Sequence, residues 1–208
     1  MTILFRIVGK KFSVSGLRQI EQHKRYLIIS NYPCFYSSFI LMGLFPEAAI
    51  VAAAFISRIP VLGHFQKQNG VVFVDKKDPQ KTKQAQDKAL EGDPLGNVII
   101  FPEGQRSPDG QIHPFKHGFV YILRHSTLDL LPITLNGFYK LKPANRLYMD
   151  PDTELEVLIH APFSNDKVKK MSDRELIGVV ESIIKAPYRE RVIDSPQLPI
   201  LPNQFLIR

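Results

Sequence analysis

Apolar positions in this chain fall into short unbroken runs separated by polar or proline-bearing breaks. Arg25 to Ser30 (RYLIIS) is one run, closed by Asn31-Tyr32-Pro33. Such a run without polar alternation predicts a strand buried on both faces. Ser37 to Phe45 follows as a helix that Pro46 must end. Further strands are predicted over Ala48 to Ala54, Gly70 to Asp75 (GVVFVD), Asn97 to Phe101, Leu130 to Leu135 and Leu155 to Ile159. Helices are predicted over Pro79 to Glu91, with Pro79 suited to a first turn, over Lys116 to Arg124, and from Ser172 to Ile184. In the last, Ser172 is the N-cap, and Asp173 and Glu175 face the positive end of the dipole. This alternation predicts an α/β fold: a single domain with a largely parallel β-sheet flanked by helices. The domain is expected over residues 1–185. The tail, 186–208, holds Pro187, Pro196, Pro199 and Pro202 among Leu198, Ile200, Leu201, Phe205 and Leu206, which favours an extended segment docked on something.

Composition narrows the classes. With 208 residues, 44% of them hydrophobic, the chain can bury a core without disulfide or metal staples. Its single cysteine, Cys34, cannot form an intrachain disulfide. Basic side chains outnumber acidic ones by 27 to 20, a net charge of +7 that predicts an anionic partner: nucleic acid, phospholipid headgroups or a phosphorylated small molecule. The short apolar run within Met1 to Phe12 is broken by Arg6, Lys10 and Lys11, so no signal peptide is expected. The longest apolar tract, Phe39 to Ile56, is split by Pro46 and Glu47, and no membrane-spanning helix is expected from it.

Candidate chemistry concentrates in Phe101-Pro102-Glu103-Gly104-Gln105-Arg106-Ser107, directly after a predicted core strand. Strand ends are where α/β proteins place ligands. Gly104 lets the backbone approach a substrate, Arg106 offers a planar fork for phosphate, and Glu103 can orient that Arg or a substrate hydroxyl. The plain alternative is a surface turn carrying an ion pair.

This segment resembles the FPEGTRS block of the glycerolipid acyltransferases, the family of the bacterial 1-acylglycerol-3-phosphate acyltransferases. Ile59-Pro60-Val61-Leu62-Gly63 followed by Gly70 to Lys76 resembles the family's second block, with Lys76 where Arg is usual. Leu131-Pro132-Ile133-Thr134 resembles the fourth, and Pro114-Phe115-Lys116 with Gly118 matches a stretch between the third and fourth. The blocks occur in order from about Arg25 to about Ala161.

The first block departs from the family. Where members carry Asn-His-x-x-x-x-Asp, the His a general base on the acceptor hydroxyl and the Asp its orienting partner, this chain reads Asn31-Tyr32-Pro33-Cys34-Phe35-Tyr36-Ser37. Tyr32 stands at the His position and Ser37 at the Asp position. Tyr titrates near 10 against about 6.5 for His, so an unperturbed phenol is ionised in roughly one molecule per thousand at pH 7. Ala53, Ala54 and Phe55 also stand where many members have charges.

The resemblance implies transfer of an acyl group from a thioester donor, acyl-CoA or acyl carrier protein, to a hydroxyl of a lysophospholipid acceptor such as lysophosphatidic acid. Tyr32 and Ser37 then hold the catalytic positions, and Lys76, Glu103, Gly104 and Arg106 bind substrate, Lys76 and Arg106 on the phosphate. A catalytically silent lipid- or donor-binding domain of the same fold is the alternative. The chain is expected to be cytoplasmic and peripherally associated with an anionic membrane surface, to need no cofactor, and not to bind nucleic acid, since zinc spacing and a Walker lysine are missing from the sequence. Of the six histidines, His64, His113 and His117 lie near these blocks and are the candidates for a relocated base. His113 and His117 flank Pro114 with no acidic third ligand close by, and no metal is expected. Cys34 reads as a small buried hydrophobe. Lys77, Lys81, Lys83 and Lys88 form either a solvated helix face or a contact to anionic lipid.

Overall fold

The computed structural model describes residues 12–53, 72–74, 80, 96–143, 149–150 and 152–189. Within these, seven strands form one sheet: β1 (Phe12–Ser15), β2 (Tyr26–Ser30), β3 (Ala49–Ala53), β4 (Val72–Val74), β5 (Val98–Ile100), β6 (Asp129–Asn136) and β7 (Leu155–Ile159). Their order is β1-β7-β6-β2-β5-β3-β4. β6, β2, β5, β3 and β4 run parallel, β7 is antiparallel to β6, and β1 is parallel to β7. The expected largely parallel α/β sheet is therefore present, with a reversed pair at one edge.

The uninterrupted apolar run of β2 has its cause in this order. β2 lies between β6 and β5, and Tyr26, Leu27, Ile28 and Ile29 are fully buried. Tyr26 and Ile28 face α1 (Tyr36–Leu44), packing with Ile40, Leu41 and Phe45. Leu27 and Ile29 face the opposite layer, with Phe119 and Leu123 of α2 (Gly118–Arg124) and Leu176, Val180 and Ile184 of α5 (Asp173–Lys185). Each such aliphatic side chain contributes about 1.5–3 kcal/mol by leaving water. The helix starting after Ser172 has the predicted N-cap and closes a full capping box with Glu175.

Pro46 and Glu47 separate α1 from β3, so the long apolar tract is a helix and a strand. No helix among the described residues is long and apolar enough to cross a membrane. The sequence reading omitted β1 and two short helices, α3 (Phe138–Leu141) and α4 (Asn165–Lys169). Apart from Gln80, the predicted helix over Pro79 to Glu91 lies outside the described residues, as do the second-block turn, His64 included, and the tail beyond Arg189. The first tail residues are tied to the domain. Tyr188 Oη donates to the Gly110 carbonyl at 2.7 Å, Asn136 Nδ2 donates to the Pro187 carbonyl at 3.1 Å, and the Arg189 amide donates to Asn136 Oδ1 at 3.1 Å.

Candidate active site

β2 and β5 are parallel neighbours, so the segments that leave their carboxyl ends, Asn31 to Ser37 and Phe101 to Ser107, emerge side by side. Asn31 continues the sheet with its side chain. Its amide donates to the Leu135 carbonyl at 3.0 Å and its carbonyl accepts from the Leu135 amide at 2.8 Å, as a peptide of a neighbouring strand would.

Phe101 to Gly104 form a tight turn in which the Gly104 amide donates to the Phe101 carbonyl at 2.9 Å, with Gly104 at φ +70°. That turn sends Glu103 inward, where it is 3% exposed. Its carboxylate accepts the Tyr32 amide at 2.8 Å on one oxygen and the His113 amide at 3.0 Å on the other. Burial raises its pKa above the ordinary carboxylate value, against those two amides and the charges of His113 and Lys185. Because the turn points the Glu103 side chain into the protein, the carboxylate grips main chain and joins the two segments.

Tyr32 is held through its backbone on both sides. The Ser107 amide donates to its carbonyl at 2.9 Å, and its ring lies on Phe101, centroids 4.2 Å apart. Burial raises the phenol's pKa above 10, opposed by a hydrogen bond with Ser38 and by the charge of Arg106. The Tyr32 side chain is thus a neutral phenol at pH 7. Ser37 is fully buried, and its Oγ accepts the Cys34 amide at 3.4 Å. The structure sets Ser38 against the phenol and uses Ser37 to brace the turn into α1. Arg106 and Gln105 are exposed at the rim, and Lys76 lies outside the described residues.

Sequence reasoning missed two features here. A Cβ built on Gly104 would lie 3.1 Å from Lys116 Nζ, so a further cation stands at the turn; its signal was the Pro-Phe-Lys-x-Gly stretch. The second is an imidazole–carboxylate pair, His113 Nε2 and Asp109 Oδ1 at 3.0 Å. Ser107 shapes the loop between them, its Oγ accepting the Gly110 amide at 2.9 Å and donating to the Gln111 carbonyl at 2.8 Å. The Gln111 amide donates to Asp109 Oδ1 at 3.0 Å. Burial acts to raise the Asp109 pKa, but the Gln111 amide and His113 outweigh it and the carboxyl titrates below its ordinary value. Tyr139 Oη donates to the Pro108 carbonyl at 3.0 Å and anchors the loop from outside.

Comparison with known proteins gives the family and the fold. A family model described as Acyltransferase matches residues 11–136. A chloroplastic 1-acyl-sn-glycerol-3-phosphate acyltransferase of Brassica napus is 28% identical over 175 residues, 83% of this chain and 51% of that protein. The Pseudomonas aeruginosa enzyme of the same name is 28% identical over 136 residues, 63% of this chain and 51% of that one. The chain thus spans about half the length of these curated relatives. A crystal structure of the 1-acyl-sn-glycerophosphate acyltransferase PlsC from Thermotoga maritima shares the fold, with a TM-score of 0.73 and 24% identity over 89% of this chain and 73% of that one.

Proposed function

For a chain that belongs to the Acyltransferase family, we propose transfer of an acyl group from a thioester donor, acyl-CoA or acyl carrier protein, to the free hydroxyl of a 1-acylglycerol-3-phosphate. The observation that carries this reading is Glu103, which joins the segments after β2 and β5 into one site that bears cations. Arg106 and Lys76 take the acceptor phosphate, with Lys116 beside Gly104 as a third cation; charge-assisted contacts of this kind contribute about 1.5–3 kcal/mol each. Gly104 leaves room for the headgroup against the main chain. Tyr32 meets the reacting groups as a neutral hydrogen-bond donor suited to the thioester carbonyl, whose oxygen gains negative charge as the acceptor adds. Ser37 keeps the turn that presents it.

The lipid substrates place the protein at an anionic membrane face, to which the +7 chain is attracted. Each basic residue near the surface adds about 1 kcal/mol, and apolar tail residues add to it by burial. Cosedimentation with vesicles should require anionic lipid and weaken with salt.

The neutral phenol at the position of the family's base supports a second reading, a domain that binds lysophospholipid or donor without turnover. Incubation of purified protein with labelled acyl-CoA or acyl carrier protein and lysophosphatidic acid separates the two. A labelled diacyl product is expected; bound lysophosphatidic acid without product would establish the silent domain instead.

A further inference from the structure

We propose that His113, oriented by Asp109, supplies the general base that Tyr32 does not. This rests on the acyl-transfer reading above. Acyl transfer to a hydroxyl needs a proton acceptor with a pKa near neutrality, and neither side chain at the family's catalytic positions provides one. Ser37 is buried on a backbone amide, and the Tyr32 phenol is neutral.

Five histidines are among the described residues, and their partners differ. His125 Nδ1 donates at its own helix end, to the Tyr121 carbonyl. His160 Nε2 meets the Thr134 hydroxyl of β6 at 2.8 Å. His23 and His117 are exposed. Among the described residues, His113 is the histidine whose ring hydrogen-bonds a carboxylate, and its own main-chain amide sits on Glu103. The opposite oxygen of that carboxylate holds the amide of Tyr32. One carboxylate therefore separates the His113 backbone from the position at which the family carries its base.

The pair also has the composition the task requires. Asp109 Oδ1 accepts from Nε2, which fixes the tautomer and leaves the Nδ1 lone pair free to take a proton. Asp109 is held in its charged form by the Gln111 amide and by His113 itself. The side chains are 35% and 43% exposed, open enough for a substrate to reach the ring. The charged groups packed on this loop are Glu103, on the turn after β5, which feels the charges of both His113 and Lys185 of α5, and Glu181 of α5, whose carboxylate accepts the Phe115 amide. In the step, the acceptor oxygen bonds to the thioester carbonyl carbon while its proton moves to His113 Nδ1. The C–S bond then breaks and the leaving thiolate takes that proton, giving ester, thiol and neutral imidazole. Asp109 is the positioning residue.

The test measures kcat/KM for acyl-CoA and lysophosphatidic acid from pH 5 to 9 on the full chain. His113→Ala should lower it about 10²- to 10⁴-fold and remove the acidic limb of the profile, and added imidazole should restore part of the rate. Asp109→Asn should move that limb to lower pH, because the imidazolium loses its carboxylate. His113→Ala with more than a tenth of the wild-type rate, or a loss that imidazole does not relieve, overturns the assignment. If His113→Ala melts below the assay temperature, the Asp109→Asn profile decides, and an unmoved limb overturns the assignment. A wild-type protein that makes no ester at any pH overturns the acyl-transfer reading and the base with it, whereas an active wild type beside an unaffected His113→Ala overturns the base alone.

Discussion

Replacing Glu103 by Gln tests whether the link between the two site segments is made by a buried carboxylate. The shape is kept, but Gln has one acceptor oxygen for two amides, those of Tyr32 at 2.8 Å and His113 at 3.0 Å. One buried amide then faces an NH2 group. Such an unsatisfied donor costs about 1–3 kcal/mol. In a domain of this size each kcal/mol lowers Tm by about 2–4 °C, so a loss of about 2–12 °C is expected by calorimetry. The pH dependence adds a sign. Burial raises the folded pKa of Glu103 above the ordinary 4.5, so the folded state binds more protons than the unfolded one between those values. The stability tied to this group is present at low pH and is lost as pH rises through the folded pKa. The Gln variant has no such loss, and the Tm gap between wild type and Glu103→Gln should narrow from pH 4 to pH 7. A gap that widens over that interval would falsify the argument, since it would mean that the fold prefers the ionised form.

Asn31→Ala removes the partner of both main-chain groups of Leu135, itself fully buried, and should lower the urea unfolding free energy by about 2–5 kcal/mol; a change under 1 kcal/mol would show that water or strand adjustment replaces the amide. Gly104→Ala places a Cβ at φ +70°, a left-handed conformation costing about 1–2 kcal/mol, while the tip of Lys116 can swing away; the expected fall in Tm is about 2–8 °C, and an unchanged Tm would refute the strain. Burial holds the His160 pKa below 6.5, so the unfolded chain binds more protons as pH falls below that value, and wild-type stability should drop there. His160→Gln should flatten the Tm profile between about pH 5 and 6.5, and a parallel profile would remove His160 from the acid sensitivity.

The central strands were legible because β2, β5 and most of β6 are buried on both faces and leave an uninterrupted apolar trace. β1 left none: it is four residues long, lies at a sheet edge, and alternates half-buried Phe12 and Val14 with exposed serines, and its pairing with β7 spans the whole domain. Helices α3 and α4, of four and five residues, are shorter than the window in which helical periodicity registers. In the site, the FPEG turn was legible as a motif, and the direction of Glu103 was not, because the turn's inward aim depends on where Gly104 adopts a positive φ. Asp109 and His113 meet across a loop shaped by Ser107 rather than along a helix, so spacing alone gave no sign of their pairing.

Position 32 is gripped through its peptide groups, the N–H on Glu103 and the carbonyl under the Ser107 amide, and a carboxylate and an amide recognise any residue other than proline equally well. The backbone part of this mounting is therefore indifferent to the side chain it carries, and the Tyr32 ring adds its own contact to Phe101. A side chain exchanged there starts from the same Cα and the same direction without the surrounding loops being rebuilt. A fold arranged this way can change the side chain it presents at this position by a single substitution while the two loops stay joined.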